Sequence, residues 1–162
     1  MNQDSVVVEL PTERATERLG QALANAIHPP MVVAINGTLG AGKTHLTRAI
    51  CHAWKVPPEE VTSPSYVLLQ RYRGQVGEIY HLDFYRLRHA DEVFDLGIDE
   101  IFEQPCVVFI EWAEKFLETL PEDHLTIDLH LSPGGDRRAK LHSSGPRSTA
   151  IVHQLRAAGN AW

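Results

Sequence analysis

The chain has 162 residues, which suits one domain, taken here as 1–162, with room for a real core. Its net charge of −6, with histidine neutral, excludes the broad basic surface of a general nucleic-acid binder. No apolar stretch approaches the ~20 residues of a membrane span. Met1-Asn2-Gln3-Asp4 shows no basic or apolar leader pattern, so a cytoplasmic location is expected.

Ser5–Leu10 predicts a short strand. Thr12 fits an N-cap for a helix with Leu19, Leu23 and Ile27 as its apolar stripe, ended by His28-Pro29-Pro30. Met31–Ile35 is a continuous apolar run, as a buried parallel strand should be. A glycine-rich loop follows, and then a helix from about Lys43, with Leu46, Ala49, Ile50 and Ala53 at helical spacing. Lys55–Glu60 is a polar loop. Tyr66–Arg73 and Gly77–Phe84 read as a hairpin turning at Gly74. Asp91–Phe102 predicts an acidic helix with Val93, Leu96 and Ile101 on one side. Cys106–Ile110 predicts a buried strand, and Trp112–Leu120 a helix stopped at Pro121.

Leu125–Leu131 alternates apolar and polar residues and reads as an edge or half-exposed strand. Ser132–Asp136 is a turn, Arg137–Leu141 the return strand, and Ser148–Ala157 a last helix ending at Gly159. The expected fold is α/β and P-loop NTPase-like: a mixed, mostly parallel sheet flanked by helices, with antiparallel hairpins. Cys51 and Cys106 read as buried thiols, not as a disulfide or metal pair. From Asp91 to Asp123 there are eleven Asp/Glu and one basic residue, Lys115. That stretch is either a solvated surface or an acidic docking face for a basic partner.

The loop Gly37-Thr38-Leu39-Gly40-Ala41-Gly42-Lys43-Thr44 fits the phosphate-binding P-loop pattern. Glycines bring backbone N–H groups against phosphate oxygens. Lys43 would reach the β- and γ-phosphates, and the Thr44 hydroxyl would ligate Mg²⁺. The helix that follows aims its positive end at the anion. Strand, loop and helix in that order are the context the motif requires, so the ligand class is a nucleoside triphosphate, here taken as ATP, with Mg²⁺.

A P-loop binds but does not by itself hydrolyse. Val107–Glu111 supplies a Walker-B-like strand with an acid at its carboxyl end. Glu111 would hold Mg²⁺ or polarise the attacking water. The plainer role is a helix-start Glu. In His81-Leu82-Asp83-Phe84, strand spacing puts His81 and Asp83 on one face and Leu82 and Phe84 on the other. Asp83 is therefore a second catalytic or metal-orienting acid, or else a turn cap or an ion-pair partner of Arg86. His81 reads as a bridging or packing histidine. Arg86 fits phosphate contact and a structural ion pair equally well. Thr62-Ser63-Pro64-Ser65 lies where switch segments occur, and Ser65 is the candidate contact to the γ-phosphate or its metal. Trp112 packs near the site, against a partner, or simply in the core.

These segments together resemble the TsaE family, the bacterial tRNA threonylcarbamoyladenosine biosynthesis ATPases. The likeness runs from about Pro11 to Leu131. It rests on Leu39–Thr44, Ser63-Pro64-Ser65-Tyr66, His81–Leu87 and Glu111-Trp112-Ala113. Against the family pattern, Thr38 replaces an Asp, Ser65 a Thr and Ala113 a Pro, and Leu82 and Phe84 are exchanged. The resemblance implies slow ATP hydrolysis within a complex with TsaD and TsaB. That complex makes threonylcarbamoyladenosine beside the anticodon of tRNAs that read codons beginning with A. tRNA would be met only through the complex. It implies Thr44 and Glu111 as Mg²⁺ ligands, Asp83 as a further acid, and a base site near Pro11, Glu13, Gly135 and Arg137.

Three other functions compete. A small-molecule kinase needs an Arg-rich lid, for which only the short Arg137/Arg138 hairpin is available. A GTPase of the Asn-Lys-x-Asp type lacks its guanine motif here. A nucleotide-gated binding module differs from the ATPase reading only in turnover.

Overall fold

The computed structural model describes residues 4–159. Met1–Gln3, on which the leader reading partly rests, lie outside the described residues, as do Asn160–Trp162 at the end of the range taken as one domain. In chain order the elements are β1 (Ser5–Leu10), α1 (Glu13–Ala26), β2 (Met31–Gly37), α2 (Lys43–Ala53), β3 (Leu69–Gly74) and β4 (Gly77–Asp83). Then come α3 (Ala90–Asp95), α4 (Ile98–Phe102), β5 (Val107–Glu111), β6 (Leu125–Leu131), β7 (Arg137–Ser143) and α5 (Pro146–Ala158). Short 3₁₀ segments lie at Pro58–Glu60 and Ala113–Thr119.

The strands form one seven-stranded sheet in the order β1-β7-β6-β2-β5-β4-β3. The central pairs β6·β2, β2·β5 and β5·β4 are parallel, and the outer pairs are antiparallel. Because side chains alternate along a strand, the sheet carries two cores. Val33, Ile35, Phe109 and Ile127 meet Leu19, Leu23, Leu46 and Ile50 of α1 and α2 on one face. Val32, Ala34, Leu82 and Ile110 meet Val93, Ile98 and Phe116 on the other. The apolar run of β2 is thus buried on both sides. Thr12 caps α1 as its sequence predicts, its hydroxyl accepting from Ala15 N–H at 3.1 Å. Cys51 and Cys106 are both free and buried. No helix among the described residues is long and apolar enough to cross a membrane.

Four expectations need correction. The strand expected from Tyr66 begins at Leu69. Tyr66 and Val67 are exposed in a turn, and Leu68 sits at φ 68° with its N–H bonded to Pro64 O at 2.7 Å. The helix expected over Asp91–Phe102 is two short helices, broken where Gly97 takes φ 79°. The helix expected over Trp112–Leu120 is a 3₁₀ segment interrupted at Phe116 (φ −143°, ψ 56°). There Phe116 turns to meet the Phe84 ring edge-on, at 5.9 Å between centroids.

Finally, β6 is an interior strand and not an edge. Its one acid is held locally: Asp128 accepts from Asn36 Nδ2 at 3.0 Å and lies 3.0 Å from His142 Nε2. The strand is half-exposed at its carboxyl end, where His130 and Leu131 are exposed, and mostly buried before it.

The helix that carries the loop's last residues is held very close to α1. A Cβ at Gly20 would lie 2.6 Å from Ala49 Cβ and 3.0 Å from the Ala49 backbone carbon. Trp54 Nε1 donates to Ala24 O at 3.1 Å in the same contact. Gly20→Ala should force the helices apart, lowering stability by about 1–3 kcal/mol. Urea unfolding checks this; an unchanged midpoint would show that the helices separate at no cost.

Candidate functional site

Strands β2, β4 and β5 all end at one edge of the sheet. The register sets Ile35 beside Glu111, and Asp83 beside Glu111 from the other side. Ligands of open α/β sheets bind at this carboxyl edge. The Gly37–Thr44 loop crosses it on the way to α2. Gly37 has φ 151°, and a Cβ there would meet Leu129 O at 2.8 Å. Gly42 has φ 103° and occupies the N-cap of α2 without a side-chain cap. Among the described residues the backbone N–H groups of Gly40, Gly42, Lys43, Thr44 and His45 have no hydrogen-bond acceptor. A row of unpaired donors at a helix N-terminus is an anion-binding arrangement.

Lys43 and Thr44 turn towards this edge. Lys43 Nζ donates to Gly37 O at 2.8 Å and Thr38 O at 3.0 Å, and lies 4.2 Å above the Trp112 ring. Burial lowers its pKa, while Glu111, Glu114 and Asp83 pull the other way. Thr44 Oγ1 reaches both carboxylate oxygens of Glu111, at 2.9 and 3.0 Å. Glu111 is only 2% exposed. Its Oε2 is also 2.6 Å from His81 Nε2, and Tyr72 Oη lies 3.0 Å from His81 Nδ1. His81 is thus a bridging histidine.

Asp83 is engaged differently. Its Oδ2 accepts from Ser65 Oγ at 2.9 Å, and its Oδ1 from Tyr85 N–H at 2.8 Å. It therefore ties the Ser63–Leu68 segment to the end of β4. Among the described residues Arg86 forms no ion pair; its guanidinium stacks on the Tyr66 ring at 4.1 Å. Trp112, at φ 59°, stands between Lys43 and Tyr85, whose ring centroid is 5.0 Å away.

Of the four residues expected around a base, Glu13 and Arg137 come together. They line a cavity of about 170 Å³ with Ala41, Gly42, Thr16 and His45. Arg137 Nη2 also donates to Gly40 O at 3.3 Å. Pro11 and Gly135 are not in that lining. Thr16, His45 and Tyr72 escaped the sequence reading. Thr16 lies beside the loop only because α1 and α2 pack closely, His45 follows the loop in the first turn of α2, and Tyr72 reaches His81 only through the β3–β4 register.

The paired oxygens of Thr44 and Glu111 are hard donors of the kind Mg²⁺ takes, few enough to leave most of an octahedral shell to ligand and water. No group of three or more His, Cys, Asp or Glu that could hold a metal occurs among the described residues. The residues present therefore fit a cation shared with a bound anion better than a dedicated protein cage.

Fold and edge define an α/β protein with a glycine-rich loop feeding a helix, and a buried acid facing that helix from the neighbouring strand. A crystal structure of Bacillus subtilis YdiB has the same fold, with a TM-score of 0.81, 24% identity and 99% coverage of both chains. The family model described as threonylcarbamoyl adenosine biosynthesis protein TsaE matches residues 10–139. The chain belongs to the TsaE family. Among its relatives, the tRNA threonylcarbamoyladenosine biosynthesis protein TsaE of Treponema pallidum is 35% identical, over 75% of this chain and 89% of its own. Those of Rickettsia felis and Bacillus subtilis are each 31% identical, covering 88% and 86% of this chain and 82% and 87% of their own.

The Ser65–Asp83 bond generates a prediction. A hydrogen bond to a charged group contributes about 1.5–3 kcal/mol. Ser65→Ala should therefore speed amide exchange across 63–68 severalfold and leave the β5 amides unchanged. Mass spectrometry of exchanged peptides reads both, and unchanged exchange at 63–68 would show that the segment is held by other contacts.

Proposed function

We propose that this chain binds ATP with Mg²⁺ and hydrolyses it, as one component of a complex with TsaB and TsaD. That complex makes N6-threonylcarbamoyladenosine beside the anticodon of tRNAs that read codons starting with A. The observation that carries the reading is the row of unpaired N–H groups at the start of α2, with Lys43, Thr44 and a buried Glu111 beside it. Family membership supports the tRNA-modification context, and that context supports a cytoplasmic location.

Each residue has a part in this reading. The loop N–H groups and the N-terminus of α2 hold the phosphates. Lys43 leaves the Gly37 and Thr38 carbonyls for the terminal phosphates and neutralises charge that develops during transfer. Thr44 and Glu111 hold Mg²⁺, which supplies electrostatic stabilisation of the phosphate oxygens. Asp83 is the remaining acid at this edge and orients the attacking water. Ser65 leaves Asp83 when it meets the terminal phosphate, so the 63–68 segment follows the state of the nucleotide. Glu13 and Arg137 flank the base or ribose. TsaD performs the transfer to tRNA, and hydrolysis here resets the complex between turnovers.

Lys43→Ala should weaken ATP binding by at least tenfold in calorimetry, because the phosphates lose their main side-chain partner; unchanged affinity would remove the loop from the site. Glu111→Ala should leave Mg²⁺-free nucleotide binding within a few-fold of wild type while cutting partner-stimulated phosphate release by about 10²–10³-fold, as loss of a group acting on developing charge does. Release at the wild-type rate would reduce Glu111 to a strand-end residue.

A further inference from the structure

Glu111 sits at the end of a side-chain chain that the nucleotide reading does not use. His81 is fully buried and spans from Glu111 Oε2, at 2.6 Å, to Tyr72 Oη, at 3.0 Å. Tyr72 Oη in turn bonds to Gln70 Oε1, and Gln70 Nε2 donates to the Thr62 hydroxyl at 3.1 Å. The chain runs across β5, β4 and β3, because register sets His81 beside Phe109 on one side and Gln70 on the other. Strand alternation then puts Glu111, His81 and Tyr72 on the face that carries α2. Burial pushes the Tyr72 phenol up, so it stays a neutral hydroxyl able to donate and accept together.

We infer that His81 and Tyr72 are positioning residues for Glu111: Tyr72 fixes the imidazole, and the imidazole fixes one carboxylate oxygen so that the carboxylate keeps its place when Thr44 engages another ligand. The inference rests on the proposed nucleotide site. Without a second holder, Glu111 depends on the Thr44 hydroxyl alone, and that hydroxyl is the group the cation would claim. A carboxylate at 2% exposure has almost no water to replace a lost partner. The imidazole leaves Oε1 to be shared only with Thr44. Groups that orient a metal-binding residue in this way change metal affinity or activity by about 10–100-fold when removed.

The aromatic packing separates this role from a structural one. The Tyr72 and His81 rings lie 5.9 Å apart, and Tyr72 is 5% exposed within the apolar cluster beneath α2. Tyr72→Phe keeps that ring and removes only the hydroxyl. His81→Gln keeps an N–H donor near Nε2, whereas His81→Leu removes it.

Calorimetry of ATP binding, with EDTA and then across a Mg²⁺ titration, tests the inference on the full chain. Wild type should bind ATP without Mg²⁺ and bind it more tightly with it. Tyr72→Phe should leave Mg²⁺-free affinity within twofold and raise the Mg²⁺ needed for the half-maximal gain by about 3–10-fold; His81→Leu should raise it by about 10–100-fold. His81→Gln should restore most of the loss. Circular dichroism and unfolding midpoints identify variants that fail to fold, and Tyr72→Phe, which conserves the core ring, carries the test if His81→Leu does. If folded Tyr72→Phe and His81→Leu both match wild type in Mg²⁺ dependence, the positioning role is overturned while the nucleotide site stands. If wild type itself binds no ATP, the nucleotide site falls.

Discussion

A carboxylate shut away from water is the constraint on which the rest of this site depends. Glu111 is 2% exposed at the end of a central parallel strand. A buried charge without partners costs far more than any single contact here returns. The chain resolves this with donors from separate elements: Thr44 from the first turn of α2, and His81 from β4. The consequence is geometric. The bond from Thr44 to Glu111 pulls the start of α2 onto the end of β5, which fixes where the loop before it must run. The close crossing at Gly20 and Ala49 holds α2 from its other side. Loop position is therefore set by a polar bond at one end of the helix and close backbone packing along its length.

Much of this was legible in the sequence, for identifiable reasons. The run Met31–Ile35 and the spacing of Leu46 and Ile50 are local patterns with one period each, and both elements formed as their patterns predict. The alternation of His81, Leu82, Asp83 and Phe84 placed two polar residues on one face and two apolar residues in the opposite core, as found. What could not be read was pairing. Nothing local in Tyr72 says that β3 will set it beside the imidazole of β4, since that depends on hairpin register. Nor does a lone Glu state whether it faces solvent or a helix.

Three of the four misread elements share a cause. Tyr66–Leu68, Gly97 and the 112–119 segment lie where the backbone departs from regular geometry, through positive φ at Leu68, Gly97 and Trp112. Periodicity assumes a continuous element, so it overran each break. Two of these breaks border the site. Leu68 closes the turn that presents Ser65 to Asp83, and Trp112 leaves β5 directly after Glu111 and covers Lys43. A residue other than glycine in the left-handed region is costly and persists only where surrounding contacts over-determine it. For Trp112 those contacts are Lys43 Nζ, 4.2 Å from the ring centroid, and the Tyr85 ring, 5.0 Å away. Lys115 secures the Tyr85 side by donating to Tyr85 O and Leu87 O, each at 2.6 Å.

This arrangement also bears on affinity. The two side chains that would meet phosphate and cation already have partners within the protein: Lys43 its own loop carbonyls and the indole, Thr44 the carboxylate. Ligand binding is then an exchange of contacts, and the net gain is the difference between new and old. A neutral ligand offers Lys43 nothing stronger than the carbonyls it would leave. A polyphosphate offers charge-assisted bonds, roughly twice as strong as neutral ones, and at the same time fills the unpaired N–H groups that no side chain has claimed. In the proposed nucleotide site the internal contacts would therefore work as a filter on charge: they hold the loop in shape and would yield only to an anion able to replace them all at once.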